Sequence, residues 1–305
     1  FEVAVRLNAA TPITAVAIVT LILLAGGNRA QSLREIQVPA RAGASLIRRR
    51  QLEIVGRSDF RDERAITATL AELHTTGIVS YLDEGTERLY SISDDQHLNA
   101  AYYRNTAIHY FILDAFVEVA LLDAASDAGH RSEAFFARAS DLRELFKFEF
   151  YLPRRMDYRS EIEKRVNDRF EDWEENLRGG EAGVRDAFNK VQLLVAHGVL
   201  RSFVDAYRIA ARVLAEEDAN VVDNKADFLS RCLKAGKQEL LQGRVFSAES
   251  ISKTLYESGW KLASYRGLLA AGQAEARREF HEELRTIKRR LDDVLAITLA
   301  QADQL

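Results

Sequence analysis

The stretch Tyr102-Tyr103-Arg104-Asn105-Thr106-Ala107-Ile108-His109 gathers an arginine, an amide and an imidazole at the head of the apolar run Tyr110-Phe111-Ile112-Leu113. Such groups hold anions, orient hydroxyls or carry protons. In an apolar helix each costs free energy unless it finds a partner. Read as the first turns of a long helix, the stretch either anchors a bound molecule or touches a neighbouring element. Other chemistry is thin. His74, His97, His130, His197 and His281 are scattered with no pair at metal-ligand spacing, so no metal site is expected. Ser32, Ser45 and Ser202 have no histidine nearby in sequence, and none lies in a Gly-x-Ser-x-Gly elbow. No glycine-rich loop precedes a Lys-Ser/Thr pair, and no cofactor is predicted. Glu216, Glu217, Asp218, Asp223 and Asp227 read as a solvated loop.

The elements that position these residues are almost all helical. Three prolines in 305 residues, with abundant Ala, Leu, Arg and Glu, favour a mostly α fold. Pro12 opens a helix from Ile13 to Ala25 that Gly26-Gly27 closes. Ser32 and Glu35 have capping-box spacing and begin a short helix that Pro39 ends. Ser45 to Val55 reads as another, stopped at Gly56. Arg64 to Thr76 places Ile66, Leu70 and Leu73 on one face, and Gly77 closes it. Ile78 to Leu82 and Arg88 to Ile92 read as strands around the turn Asp83-Glu84-Gly85-Thr86. This helix and hairpin, 64–92, form a winged-helix-like insertion. Asp95 begins a helix to about Asp127. Arg131 to Phe150, Ser160 to Leu177 with Phe170 and Trp173 inward, Glu181 to Glu217 changing character at Gly198, Ala219 to Gly243, Ser247 to Ala271 and Ala274 to Gln304 follow. The chain is one large domain or two smaller ones; if two, Gly179-Gly180 divides a helical region 1–178 from a helical C-terminal region 179–305.

Composition excludes several classes. A net charge of −4 from 42 basic and 46 acidic residues gives no general reason to bind nucleic acid. Cys232 is the single cysteine, so no disulfide framework exists and a reducing compartment is expected. The apolar run Ala15 to Ala25, interrupted by Thr20, falls short of the roughly 20 residues of a membrane span, and a buried core helix is expected there. Arg48-Arg49-Arg50 has the charge to sit on an anionic membrane surface, but acidic residues follow from Asp59 to Glu63, and a solvated helix face is the reading favoured. On the tail helix, Arg277-Arg278, Arg285 and Lys288-Arg289-Arg290 interleave with Glu275, Glu279, Glu282 and Glu283 as salt-bridged surface. The chain opens on Phe1, with no signal-peptide pattern, and reads as a fragment or processed product.

Three blocks carry a resemblance in order. Val5-Arg6-Leu7-Asn8 leads into the apolar run Ala15 to Leu24 and then Arg29-Ala30 and Ser32-Leu33. Tyr102-Tyr103-Arg104-Asn105 precedes His109 and a hydrophobic helix. Leu145-Phe146-Lys147-Phe148-Glu149-Phe150 follows. The series resembles the C-terminal region of the bacterial-type, acyl-CoA-dependent glycerol-3-phosphate acyltransferases, over at least Val5 to Leu214. The resemblance implies a parent enzyme that transfers a fatty acyl group from acyl-CoA to the sn-1 hydroxyl of glycerol-3-phosphate, giving lysophosphatidic acid. It also implies a catalytic acyltransferase domain upstream of this chain. Peripheral attachment to the cytoplasmic face of the cell membrane is expected.

That family's acyl transfer uses a His-x-x-x-x-Asp pair, a base and its orienter. His109 and Asp114 have this spacing by chance. Positions i and i+5 of a helix point about 140° apart, the stretch matches a region far after the catalytic motif, and no Phe-Pro-Glu-Gly phosphate block is present. No catalytic residue is assigned here, and His109 is expected to be buried and hydrogen-bonded to a neighbouring helix. Arg6, Asn8, Tyr103, Arg104, Asn105 and His109 are candidates for an internal polar network or a seam with the catalytic domain. The alternatives are a winged-helix regulator that reads DNA through Arg64 to Ile92, or a non-catalytic helical scaffold.

Overall fold

A computed structural model describes residues 11–27, 29–54, 62–127 and 129–305, which contain thirteen α-helices and one small sheet. Arg6 and Asn8 lie outside the described residues. The fold is mostly α, as the composition predicts.

Helix α1 (Ala15–Ala25) is buried along its whole length, with Thr14 as its N-cap, so Pro12 stands outside it. Gly27 beyond its end takes φ +75, where a side chain would be strained. Strand β1 (Gln31–Ser32) leads into α2 (Leu33–Arg49), and the Ser32–Glu35 capping box forms in both directions. Pro39 does not end this helix, and no separate helix begins at Ser45. A proline inside a helix costs about 3 kcal/mol, but Ile36, Ala40, Ala44 and Ile47 make one buried stripe across it. Burying that stripe outweighs the lost hydrogen bond.

Helix α3 (Glu63–Thr75) buries Ile66, Leu70 and Leu73, with Gly77 at φ +75 after it. The hairpin forms as predicted from β2 (Ser80–Leu82) and β3 (Leu89–Ser91), with Tyr81 opposite Tyr90. The distant β1 adds a third antiparallel strand, in the order β1-β3-β2. Two residues give no periodicity, so β1 left no trace in the sequence pattern.

The predicted helix to Asp127 is two helices, α4 (His97–Asn105) and α5 (Ile108–Ala125). Thr106 and Ala107 turn tightly between them, their N–H groups bonding three residues back to Tyr103 and Arg104. α5 is the core's central helix, buried on nearly every face. α6 (Arg131–Phe146) and α7 (Arg155–Arg169) pack on it. Asp172, at φ 52, separates α7 from α8 (Trp173–Arg178), so the predicted helix over Ser160 to Leu177 is broken, although Phe170 and Trp173 do turn inward. α9 (Gly180–Asn189) and α10 (Ala196–Ala215) replace the single helix predicted from Glu181. The break falls at 190–195 because side chains claim the backbone there. Gln301 donates to the carbonyls of Phe188 and Val191, and Arg169 donates to that of Leu193.

Gly198 lies inside α10 without interrupting it. It lets the helix approach α1 so closely that a Cβ would stand 2.9 Å from that of Ala25. α11 (Lys225–Leu241), capped by Asn224, begins later than predicted because the chain turns at 216–220, with Asp218 at φ 48, and Val222 then bonds to the Leu269 carbonyl. A short 3-10 turn (Ala248–Ser250) and α12 (Lys253–Tyr265) divide the helix predicted over Ser247 to Ala271. α13 (Ala274–Ala302) runs back along α10. Among the described residues no helix is long and apolar enough to cross a membrane.

Candidate functional site

The conspicuous stretch Tyr102 to His109 straddles the α4–α5 turn. Arg104, at the end of α4, is buried with its side chain pointing inward. It donates to Asn105 Oδ1 at 2.7 and 3.1 Å, to the Gly198 carbonyl at 3.3 Å, and to Glu249. One guanidinium therefore ties α4 to α10 and to the 3-10 turn. Tyr102 and Tyr103 face outward and are exposed, as is Asn105. His109 is half-buried rather than enclosed. Its ring lies 4.0 Å, centroid to centroid, from that of Tyr110, whose hydroxyl donates to the Thr11 carbonyl.

Asp114 does not serve His109. It is fully buried one turn further along α5, and both its oxygens accept from Arg50 at 2.7 Å. Arg50 also donates to Asp168 at 2.9 Å. Burial opposes the charge on Arg50, but Asp114 and Asp168 outweigh it and raise its pKa above the usual arginine value. The end of the Arg48-Arg49-Arg50 run is thus an interior anchor rather than a solvated face. It was missed because a guanidinium at a helix terminus reads the same in sequence whichever way it points.

One turn along from Asp114, Glu118 is also fully buried. It accepts from Arg169 at 2.6 Å and from the backbone N–H groups of Val195 and Ala196 at 2.7–3.0 Å. A carboxylate thus caps the positive end of α10 from inside the core. Burial drives the Glu118 pKa upward, against the pull of Arg169 and the two amides. Arg165 on α7 is close to Asp114 and Asp168, yet its Nε has no hydrogen-bond partner, and burial lowers its pKa. A signal for this network existed. Asp114 and Glu118 are the two acids in the otherwise apolar run from Tyr110 to Leu122, and four residues place them on one face.

Two further buried groups were misread or unread. Arg277 on α13 is fully buried, not salt-bridged surface. It donates to the carbonyls of Leu268, Asp218, Asn220 and Ala270 at 2.8–2.9 Å, which pins the loops before α11 and α13. His197 in α10 is enclosed, with the Ala25 backbone as a polar neighbour of opposite effect to Arg201. Burial and the nearby Arg201 push its pKa down to about 3.

These arrangements are structural in their chemistry. Each buried carboxylate is committed to a guanidinium or to amides, and no base stands beside a hydroxyl or thiol in a position to activate it among the groups just described. Among the described residues no three or more His, Cys, Asp or Glu side chains converge to hold a metal ion.

A mostly α core tied together by interior arginines, carrying the three ordered blocks, defines the class. The chain belongs to the family described as the glycerol-3-phosphate acyltransferase C-terminal region, whose model matches residues 1–272. Curated relatives described as putative acyltransferase plsB1, from Mycobacterium bovis and Mycobacterium tuberculosis, are 36% identical over 308 residues, covering 97% of this chain and 48% of each relative. The chain therefore spans about half the length of the curated relatives it matches.

Proposed function

We propose that this chain is the C-terminal part of a glycerol-3-phosphate acyltransferase, and that it supports a catalytic domain lying upstream in the same polypeptide. The parent enzyme would transfer a fatty acyl group from acyl-CoA to the sn-1 hydroxyl of glycerol-3-phosphate, giving lysophosphatidic acid at the cytoplasmic face of the cell membrane. The observation that carries this reading is the fate of His109 and Asp114. The one pair with acyl-transfer spacing diverges, and the aspartate is consumed by Arg50. Family membership supplies the reaction class, and the length of the relatives leaves room for a catalytic half.

A nucleic-acid reader is not favoured. The outward side of α3 and the hairpin mixes Glu63, Arg64 and Glu72 with an Arg88–Asp83 pair, which is not a basic stripe. The test is acylation of glycerol-3-phosphate from acyl-CoA, by this chain alone and by a polypeptide that includes the upstream half. Transfer by the longer polypeptide and none by this chain is expected. Turnover by this chain alone would overturn the assignment of catalysis to the upstream half.

A further inference from the structure

The block Leu145 to Phe150 continues into a loop built to display aromatic rings. Its inward side chains are fixed. Phe146 is fully buried, Phe150 packs against Phe203 with ring centroids 4.9 Å apart, and Leu152 is buried. Tyr207 donates to Glu149 at 3.0 Å, and Arg143 donates to the Pro153 carbonyl at 3.2 Å. The intervening side chains face solvent. Phe148 is 39% exposed, Tyr151 54% and Met156 83%, and Tyr265 at the end of α12 is 63% exposed. Phe148 and Tyr265 are in contact, with ring centroids 6.3 Å apart. Lys147 Nζ stands 3.0 Å from the Tyr265 ring centroid and 5.5 Å from that of Phe148, and Glu144 joins Lys147 to Arg155, the neighbour of Met156.

Charge decides what such a patch meets. From 143 to 159 there are five basic residues (Arg143, Lys147, Arg154, Arg155, Arg159) and three acidic ones (Glu144, Glu149, Asp157); Glu149 is held inward by Tyr207, and Glu144 is shared among Arg143, Lys147 and Arg155, which leaves an excess of positive charge. Aromatic rings, methionine and arginine are common in protein interfaces too, but lysine is depleted there, and Lys147 lies at the centre of this patch between the Tyr265 and Phe148 rings. Aromatic rings beside lysine and arginine are what the headgroup layer of a bilayer favours, and anionic lipid adds attraction for each cation.

We propose that the face formed by the α6–α7 connection and the end of α12 seats on an anionic phospholipid surface. Phe148, Tyr151, Met156 and Tyr265 enter the headgroup layer, and Lys147, Arg154 and Arg155 meet lipid phosphates. This rests on the peripheral membrane attachment proposed above and assigns it a surface.

The experiment is co-sedimentation of the chain with vesicles of phosphatidylglycerol and phosphatidylcholine in equal parts, against vesicles of phosphatidylcholine alone. At least tenfold stronger binding to the anionic vesicles is expected, weakening as salt rises. The double variant Tyr151→Asp, Met156→Asp is expected to lose binding at least tenfold. Leu241→Asp, at an exposed apolar position on α11 remote in sequence, is expected to bind as the wild type does. All these side chains are exposed, so circular dichroism melting is expected to be unchanged and to exclude misfolding. Equal binding by the double variant overturns the proposal. So does protection of Tyr151 and Met156 from hydroxyl-radical labelling in the longer polypeptide without vesicles, which would make the patch a seam between protein halves. Acyl transfer from a water-soluble short-chain acyl-CoA, measured on the same preparations, separates the two readings. Transfer retained without vesicle binding sinks the membrane face alone. Absence of transfer by the longer polypeptide sinks the proposed activity whatever the vesicles show.

Discussion

His197 gives the sharpest test of the interior. It is enclosed in α10, and burial with Arg201 nearby lowers its pKa from 6.5 to about 3, against the opposing pull of a backbone hydrogen bond with Ala25. In the unfolded chain the ring titrates near its ordinary value, so acid favours unfolding. The sign follows from the depressed folded pKa: the contribution is fully present above pH 6.5 and is lost as pH falls toward 3. At pH 5 the unfolded ring has gained about 1.5 pH units of protonation that the folded ring cannot share, or about 2 kcal/mol. Other groups also titrate over this range, so the measurement is a difference between two proteins. His197→Leu removes the titration and keeps an apolar side chain of similar bulk. At pH 7.5 the variant is expected within about 1.5 kcal/mol of the wild type. From pH 7.5 to pH 5 the wild type is expected to lose about 2 kcal/mol more than the variant. Urea unfolding at the two pH values reads this directly. Parallel losses would show that the ring titrates normally in the fold, and the burial argument would fail.

Other substitutions probe the interior anchors. Arg169→Met leaves Glu118 buried without its cation, and is expected to cost about 3–5 kcal/mol; adding Glu118→Gln should restore a large part, because removing one partner of a buried pair is worse than removing both. A urea-unfolding cycle in which the two changes merely add would refute the coupling. Arg277→Ala leaves the carbonyls of Leu268, Asp218, Asn220 and Ala270 without their donor, and an expected loss of about 3 kcal/mol or more is read from the thermal midpoint. Arg277→Lys should recover little, since an ammonium lacks the planar fork. Gly198→Ala would set a methyl 2.9 Å from Ala25 Cβ and 3.2 Å from Leu21 Cδ1, costing about 1–3 kcal/mol; an unchanged midpoint would mean that α1 and α10 separate freely.

Much of the architecture was legible because it is local. The Ser32–Glu35 capping box, Gly77 after α3, and the 80–82/89–91 hairpin each depend on residues within a few positions. The errors share one cause, which is tertiary demand on the backbone. Pro39 was overruled by a stripe that buries on both sides of it. The breaks at 106–107 and 190–195 arise where the chain turns tightly or where Arg169 and Gln301 claim carbonyls. Strand β1 exists because β3, nearly sixty residues later, pairs with it. The stretch Tyr102 to His109 was singled out correctly as polar groups in apolar surroundings, but the sequence could not say which of them turns inward. Arg104 does, and Tyr102 and Asn105 do not.

The interior arginines also explain how such an apolar assembly keeps one arrangement. α1 and α5 are buried on nearly every face, so periodicity alone gives each little preference for a particular rotation or slip. An apolar surface packs almost as well after a small shift, whereas a guanidinium facing fixed oxygens does not. Arg50 fixes the end of α2 to α5 and α7 through Asp114 and Asp168. Arg169 with Glu118 fixes α5 and α7 to the first turn of α10. Arg104 fixes α4 to α10, and Arg277 fixes α13 to the loops before it. Each link joins residues that are remote in sequence or lie on different elements, and three of the four converge on α5 or α10. Groups committed in this way are unavailable for proton transfer, because moving a proton from any one of them would leave a buried charge unpaired. The same residues that hold the helices in register therefore take no part in proton transfer themselves.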